Sequence, residues 1–272
     1  MKLTGLITAL FVLAVLAGAY AFGTGGMPDR EPPEWLTAQK IAHRGQWTDS
    51  GERPENSLAA FAEAVGNGYA VELDVQWSLD GEIMVFHDAS LERMTGVVRP
   101  LADTPSFELR QLSLRGGGQT IPTLSEVLAL VDGRVPVFVE IKNEGEVGAL
   151  EDAVAMQLDA YDGPACVMSF NPYSLQRVAE LAPDIPRGQL ASRFKGENLA
   201  WYEKLLLANM AMNWTSKPDF IAYDIDALPC PGVTVQRWRG RPILGWTIED
   251  ADDLARAEEL VDGFICNPGA LD

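Results

Sequence analysis

VELDV, residues 71–75, is the stretch that decides the fold of this 272-residue chain. Because successive side chains of a β-strand point to opposite faces, its two acids share one face and its three branched apolar residues share the other. The run VFVEIK at residues 137–142 repeats this arrangement. In a closed parallel barrel the outward face packs on helices, whereas the inward face can turn polar at the carboxyl ends of the strands. Both runs therefore predict barrel strands that carry charged groups to one site.

Strand-like and helix-like segments alternate on both sides of these runs. Leu58, Phe61, Ala62 and Val65 follow helical spacing, and turn residues bound the segment. Units of this kind and number predict a single-domain (β/α)8 TIM barrel over residues 39–272 rather than an open sheet. The predicted strands are 40–43, 71–75, 83–87, 135–142, 165–170, 187–191, 220–225, 242–247 and 263–266. The predicted helices occupy 57–65, 122–132, 146–160, 172–181 and 250–260, and residues 193–217 are predicted to be irregular and helical.

The first 22 residues differ in kind from the rest of the chain. Lys2 precedes an apolar run over residues 6–22, which is at the short limit for a membrane span and long for a signal sequence. The prediction is export, with residues 1–22 as a cleaved signal peptide or a membrane anchor and the barrel periplasmic, extracellular or anchored outside the cytoplasm. Residues 23–38, rich in Gly, Pro and acids, are predicted to be a tether.

Charge limits the possible partners. A net charge of −18 and a pI near 4.4 argue against nucleic acid or an anionic membrane surface. An anionic small-molecule substrate would need a local positive pocket, which Arg44, Lys142 and a bound cation could provide. Cys166 and Cys266 fall in apolar runs and are predicted to be small buried residues. The sequence leaves the oligomeric state open.

Three carboxylates in the two strand runs are candidate metal ligands. Glu72, Asp74 and Glu140 are hard oxygen donors, which suit Mg²⁺ or Ca²⁺ better than a thiolate-preferring metal. The alternative is that they are solvated surface acids. Because the runs that carry them are otherwise apolar, the sequence favours one divalent cation.

The chain has two histidines, and both lie at strand ends beside the acidic runs. Imidazole titrates near neutral pH, so His43 and His87 are predicted to transfer protons. Arg44 offers a planar fork for phosphate oxygens, although a surface ion pair is the alternative. Lys142 is also a candidate phosphate ligand, and a simple ion pair with Glu140 remains open.

Three further residues have both structural and functional interpretations. Asn56 could cap the helix that begins near Ser57, and Glu55 could stabilise the same helix end through its dipole. Either could instead support the metal site from a second shell. Trp246, at the end of a strand, could line a pocket or lie in the core.

Taken in order, several motifs resemble the glycerophosphodiester phosphodiesterase family. They are His-Arg-Gly at 43–45, RPENS at 53–57, VELDV at 71–75, Asp-Gly at 80–81, His-Asp at 87–88, Glu-Ile-Lys at 140–142, Gly-Trp-Thr at 245–247 and Val-Asp-Gly at 261–263. The resemblance covers the chain from about residue 40 to residue 268. Two positions depart from the family pattern: Ser57 stands where threonine is usual, and Asn267 stands where an acid is usual.

The resemblance implies a TIM-barrel phosphoric diester hydrolase of glycerol and lipid metabolism. It would cleave glycerophosphodiesters to an alcohol and sn-glycerol 3-phosphate with one divalent cation. Glu72, Asp74 and Glu140 would hold the metal, the two histidines would act as acid and base, and Arg44 and Lys142 would bind phosphate. Two other functions stay open, namely a lysophospholipase-D-like activity on membrane lysolipids and a non-catalytic phosphodiester-binding protein. An apolar, Trp-bearing stretch around Trp201 and Trp214 motivates the first.

Overall fold

A computed structural model describes residues 3–28, 30–143 and 146–271. Eight parallel strands close into a barrel, because β1 (Ile41–Ala42) pairs with both β2 (Ala70–Trp77) and β9 (Gly263–Cys266). The strands between them are β4 (Val137–Ile141), β5 (Ala165–Ser169), β6 (Arg187–Ala191), β7 (Phe220–Asp224) and β8 (Ile243–Ile248), paired in that order. The predicted (β/α)8 barrel is confirmed.

Helices surround the barrel and connect its strands, except for the first, which precedes the barrel. They are α1 (Leu3–Gly25), α2 (Leu58–Gly66), α3 (Glu92–Thr95), α4 (Ser106–Leu109), α5 (Leu124–Val131), α6 (Ala149–Asp159), α7 (Pro172–Leu181), α8 (Trp201–Ala208), α9 (Asn213–Ser216), α10 (Pro231–Trp238) and α11 (Ala251–Ala257). Ser57 caps α2 and Thr123 caps α5, since each side chain accepts a backbone N–H of the first turn. Helix α10 is absent from the predictions, although a proline at its first turn is a usual start signal.

Two predicted elements differ from the structure. Residues 83–87 do not form a barrel strand: β3 (Ile83–Val85) turns back on β2 in antiparallel register, with Val75 opposite Val85. Helix α6 begins at Ala149 instead of residue 146, because the Glu151 side chain accepts the backbone N–H of Gly148 and closes a cap there.

Apolar side chains fill the barrel interior below the charged level. Phe138 packs edge-on against Phe220, with ring centroids 6.1 Å apart, and Trp35 packs edge-on against Phe138 from the base. Leu36 is fully buried in the same cluster. The aliphatic faces of the strands form a larger core with the surrounding helices. Inside the barrel, the acids of β2 and β4 therefore lie above this apolar layer, towards the carboxyl ends of the strands.

The composition of residues 23–38 predicts a tether, but the structure packs much of this segment against the barrel. The backbone around Leu36 forms a short 3₁₀ helix at the barrel base. Arg30 forms an ion pair with the buried Asp219, with Nε and Oδ1 2.7 Å apart. The Gly and Pro residues of segment 23–38 thus allow its backbone to follow the barrel surface. Contacts with buried residues of the barrel hold the segment in place.

Helix α1 contains an apolar stretch, Ile7–Gly25, with mean hydropathy 2.0, and it is long enough to cross a membrane. Most of its described side chains are exposed. Lys2, on which the predicted orientation depends, lies outside the described residues.

Candidate active site

The acidic residues of β2 and β4 converge inside the carboxyl end of the barrel. Parallel register places Asp74 directly beside Glu140. Ligand oxygens of Glu72, Asp74 and Glu140 all lie within 4.8 Å of one another. All three side chains are largely removed from solvent. The structure therefore brings together the three predicted metal ligands.

Burial and mutual repulsion perturb these carboxyls. The pKa of Glu72 is raised well above its ordinary value, first by burial and then by the negative charges of Asp74 and Glu140. Burial also raises the pKa of Glu140, against the opposing effect of Lys142. For Asp74 the burial effect is outweighed, because Lys142 and Arg44 hold its pKa below the ordinary value. The three carboxyls thus hold their protons unequally, and Asp74 is the one that its cationic neighbours keep ionised.

The donor set fits a divalent cation. Asp74 Oδ1 is buried and accepts no hydrogen bond from the residues that the structure describes, and Lys142 Nζ lies 3.3 Å away. The lysine offsets part of the cost of burying this oxygen without a hydrogen-bond donor, and a divalent cation among the three carboxylates would offset more. Three clustered carboxylates are the oxygen ligands that Mg²⁺ and Ca²⁺ prefer. The acidic trio could therefore hold a divalent cation.

His43 follows β1 and is held through its ring. Its Nδ1 lies 2.7 Å from Oδ1 of Asn267, and Asn267 Nδ2 donates to Glu249 at 2.7 Å. Glu249 thereby orients the amide so that its oxygen faces the imidazole, which places the proton on Nδ1. Burial and then Arg44 lower the pKa of His43 to about 4. At neutral pH this imidazole is uncharged, with Nε2 unprotonated.

His87 follows β3 and has a charged partner. Its Nδ1 lies 2.7 Å from Oδ1 of Asp88, and Arg93 Nε donates to Asp88 Oδ2 at 2.6 Å. Gln76 Nε2 donates to three successive backbone carbonyls, those of residues 86, 87 and 88, at 2.8, 3.0 and 3.0 Å. These bonds fix the short segment that carries the imidazole.

Arg44 connects Glu55 to the acidic trio. Its backbone N–H donates to Glu72 at 3.0 Å, and its Nη1 donates to Glu55 at 2.9 Å. Gly45 follows in the left-handed region at φ 81°, and a Cβ there would lie 2.8 Å from the backbone of Ala60. A glycine is therefore required for the turn that aims Arg44 into the barrel.

Glu55 and Asn56 both support the site, and neither caps α2. Glu55 also accepts from Arg93 at 2.7 and 2.9 Å, so one carboxylate connects the residues beside both histidines. Asn56 Nδ2 donates to Asp74 Oδ2 at 2.8 Å, and the cap of α2 is Ser57. Arg93, Asp88 and Glu249 are the supporting residues for which the sequence suggests no role, because their partners lie on other elements.

A cavity of about 100 Å³ lies above the acidic trio. Trp246 lies in its wall and packs edge-on against Phe170, with ring centroids 5.6 Å apart. Charged groups therefore line one side and aromatic rings the other. The full lining is His43, Arg44, His87, Glu140, Lys142, Phe170, Leu190, Trp246, Thr247 and Ile265. A larger cavity of about 390 Å³, beside α10, lies on the outer helix layer and contains none of these residues.

Residues 43–268 match the Glycerophosphoryl diester phosphodiesterase family. The chain belongs to that family. Its members are phosphoric diester hydrolases, so the chain is an enzyme of this class. A glycerophosphodiester phosphodiesterase of Caldanaerobacter subterraneus is 36% identical over 162 residues, covering 55% of this chain and 65% of the relative.

Solved structures show the same fold. A phosphodiesterase of Oleispira antarctica in complex with the product sn-glycerol-3-phosphate is 28% identical, has a TM-score of 0.69, and covers 86% of this chain and 94% of its own. A glycerophosphodiester phosphodiesterase of Thermotoga maritima is 27% identical, has a TM-score of 0.66, and covers 85% and 95%. The substrate class of the family is a small-molecule glycerophosphodiester.

Proposed function

We propose that this enzyme hydrolyses glycerophosphodiesters to an alcohol and sn-glycerol 3-phosphate, using one divalent cation and two histidines. One observation carries the proposal: Glu140, Lys142, Arg44 and both imidazoles line a single cavity above the acidic trio. The product bound by the Oleispira antarctica relative supports the glycerol phosphate half of the substrate.

The chain's own cations would receive the phosphate. Burial opposes the charge of Lys142, but Asp74 and Glu140 outweigh it and raise the pKa of this lysine above its ordinary value. Lys142 therefore stays protonated and can attract a phosphate oxygen. Arg44 presents a guanidinium that Glu55 holds in place. Glu72, Asp74 and Glu140 would hold the cation, which when bound neutralises charge as it develops on the phosphorus oxygens.

The different partners of the two rings support different roles for them. His43 keeps its proton on Nδ1 against Asn267 and offers Nε2 as a base to the attacking oxygen, either water or the neighbouring glycerol 2-hydroxyl. The Nδ1 of His87 lies against a carboxylate, Asp88, of the kind that orients histidines in proton transfer. We therefore assign His43 as the base and His87 as the acid that protonates the leaving alkoxide.

A substrate panel with and without divalent cations tests this function. Release of sn-glycerol 3-phosphate from glycerophosphocholine should disappear with EDTA and return with Mg²⁺ or Ca²⁺. His43→Ala and His87→Ala should each lose roughly 10²–10⁴ in rate. Near-complete turnover in both variants, with normal metal binding, would eliminate the assignment. Tight substrate binding without turnover in the native chain would instead indicate a binding protein.

A lysolipid substrate is the second candidate function. The exposed apolar side chains of α8 favour it, since they could place the enzyme near a membrane. Comparing long-chain lysophosphatidylcholine with glycerophosphocholine separates the two candidates.

We also propose that α1 is a membrane anchor and that the barrel lies outside the cytoplasm. Its length and hydropathy support a span, and its last turn is bound to the barrel. A mass measurement on the membrane-associated chain tests this proposal against signal cleavage, which would remove about the first 21 residues at the small-residue site.

A further inference from the structure

Helix α8 has an apolar face that the fold leaves uncovered. Trp201 is 77% exposed, Tyr202 52% and Leu205 57%, and Leu206 is exposed as well. The pairs 201/205 and 202/206 are each four residues apart, so the four side chains form one continuous face. A contiguous exposed apolar face of this kind marks an interaction surface rather than scattered surface residues.

The few charged residues of α8 balance one another, which suits a partner without net charge. Glu203 accepts the backbone N–H of Ala200 at 2.7 Å, and Lys204 is its one basic residue. The helix is therefore electrically neutral within a chain of net charge −18. A helix without net charge suits the interface of a zwitterionic bilayer. It also avoids the electrostatic repulsion that the acidic remainder of the protein surface would meet at anionic lipids.

The last turn of α1 is built into the domain. Thr24 is fully buried, and Arg239 Nη1 donates to its Oγ1 at 2.7 Å. Arg241, also buried, donates to the backbone carbonyls of Thr24 and Gly26. A side chain on Gly23 would overlap the carbonyl oxygen of Ala211. Helix α1 therefore leaves the barrel at a fixed point.

That exit point is continuous with the face of α8. Ala211, which Gly23 contacts, donates its N–H to the Leu206 carbonyl of α8 at 2.8 Å. Phe22 of α1 stacks on Trp214, with ring centroids 6.0 Å apart. Trp238, 81% exposed, is the neighbour of the arginine that holds Thr24. One indole ring, that of Trp214, thus packs on the helix where it leaves the domain, and a second, that of Trp238, is exposed next to a residue that holds the helix.

We propose that the α8 face, together with Trp214 and Trp238, lies in the interfacial layer of the bilayer that α1 crosses. This rests on the anchor role proposed above. Tryptophan and tyrosine favour the headgroup level, because an apolar ring and a polar N–H or O–H are satisfied there together. A span held rigidly beside such a face brings bilayer and face into contact. The membrane then orients the barrel as well as retaining it.

Site-specific labelling of the full-length chain tests the proposal. In a Cys230→Ser background, Leu205→Cys carries an environment-sensitive nitrobenzoxadiazole dye, and Met156→Cys on α6, 73% exposed, is the matched control. Cys166 and Cys266 are buried and should not label. After reconstitution into phosphatidylcholine vesicles, the dye at 205 should shift to the blue and be quenched by brominated lipid. The dye at 156 should do neither.

Three results would overturn it. The dye at 205 could keep its aqueous emission in chains that float with the vesicles, which shows an anchor without contact at α8. Its shift could appear without lipid and grow with protein concentration, which shows that a second copy covers the face. The chain could also fail to float with vesicles, which removes the anchor. Turnover of glycerophosphocholine, measured on the same samples, separates each of these from a failure of the proposed hydrolysis.

Discussion

His43 and His87 lie in the wall of one cavity, but their Nδ1 atoms have different partners. The partner of His43 is a neutral amide, Asn267, and the partner of His87 is a carboxylate, Asp88. An amide oxygen that accepts a hydrogen bond from Nδ1–H fixes the tautomer and favours the imidazolium less strongly than a carboxylate in the same position would. This asymmetry supports the proposed roles of His43 as the base and His87 as the acid.

The acid limb of the pH–rate profile should depend on Asn267. Since His43 must be neutral to act as base, kcat/KM should fall as pH drops through its pKa of about 4. Asn267→Asp together with Glu249→Gln places a carboxylate on Nδ1 and keeps a donor behind it. The pKa of His43 should rise, and the acid limb should move to higher pH. Glu249→Gln alone is the control and should leave the limb near its native position; an unchanged limb in the double variant would contradict the assignment.

Metal binding should release a proton from the acidic trio. Because the pKa of Glu72 is raised, a fraction of this carboxyl is protonated at pH values above the ordinary glutamate pKa of about 4.3, and a cation must displace that proton. Calorimetric titration in two buffers of different ionisation enthalpy measures the release. Glu72→Gln should abolish most of it and weaken binding by at least ~10–100-fold, the typical cost of losing a mere second-shell partner. Glu259→Gln, at an exposed position, should change neither the number of protons released nor the affinity for the metal. Equal proton release from the two variants would refute the prediction.

At the scale of elements, the site depends on strand register and on one turn. The pairing of β2 with β4 sets Asp74 beside Glu140, and a slip of one residue between the two strands would turn one of these acids away from the other. Gly45 sets the turn after β1 that carries Arg44. Helix α1 is joined to the barrel in a comparable way, through glycines that permit close backbone approach.

Gly23→Ala should loosen α1 from the barrel. Its new methyl group would overlap the carbonyl of Ala211, and relief of such overpacking typically costs about 1–3 kcal/mol. Thermal unfolding in detergent should show a lower midpoint, and limited proteolysis should cut near residue 26 sooner. Gly18→Ala, in the same helix with open space around it, should leave both readouts unchanged. If the two variants behave alike, the docking of the last turn is not energetically important.

At the scale of the whole molecule, charge and shape act together. A net charge of −18 repels anionic substrates at long range, and the cationic groups that could receive a phosphate, Arg44 and Lys142, lie in the cavity wall. Helix α8 follows β6 through the loop at residues 192–200, so the proposed membrane face and the cavity residue Leu190 lie on consecutive parts of the chain.

Loss of the α8 face should therefore affect only membrane-borne substrate. Trp201→Ser with Leu205→Ser should lower hydrolysis of lysophosphatidylcholine presented in vesicles, because fewer enzymes sit against the bilayer. Glycerophosphocholine reaches the cavity from water and should be cleaved at the native rate. Met156→Ser is the control for a lost exposed apolar side chain. Equal loss on both substrates would indicate damage to the fold, and no loss on either would contradict a role for this face in substrate access.

Much of the fold could be predicted from local pattern. Alternation of acids with apolar residues in β2 and β4 and helical spacing in α2 predicted a barrel, which is confirmed. Residues 83–87 show the limit of such patterns: they form a sound strand, but only the pairing with β2 shows that it is an antiparallel hairpin partner outside the barrel. Residues 23–38 show a second limit of local patterns. The residues that hold Arg30 and Leu36 against the barrel lie far away in the sequence, so composition alone does not reveal them.

By itself the sequence determined the kinds of groups available: three hard carboxylates, two imidazoles and two cations at strand ends. It did so because strand periodicity and side-chain chemistry are local properties. Only the tertiary structure decided that His43 faces Asn267 and Glu249, that Arg93 joins Asp88 to Glu55, and that α1 ends inside the domain. Those contacts join residues up to 224 positions apart, and closure of the barrel brings them together.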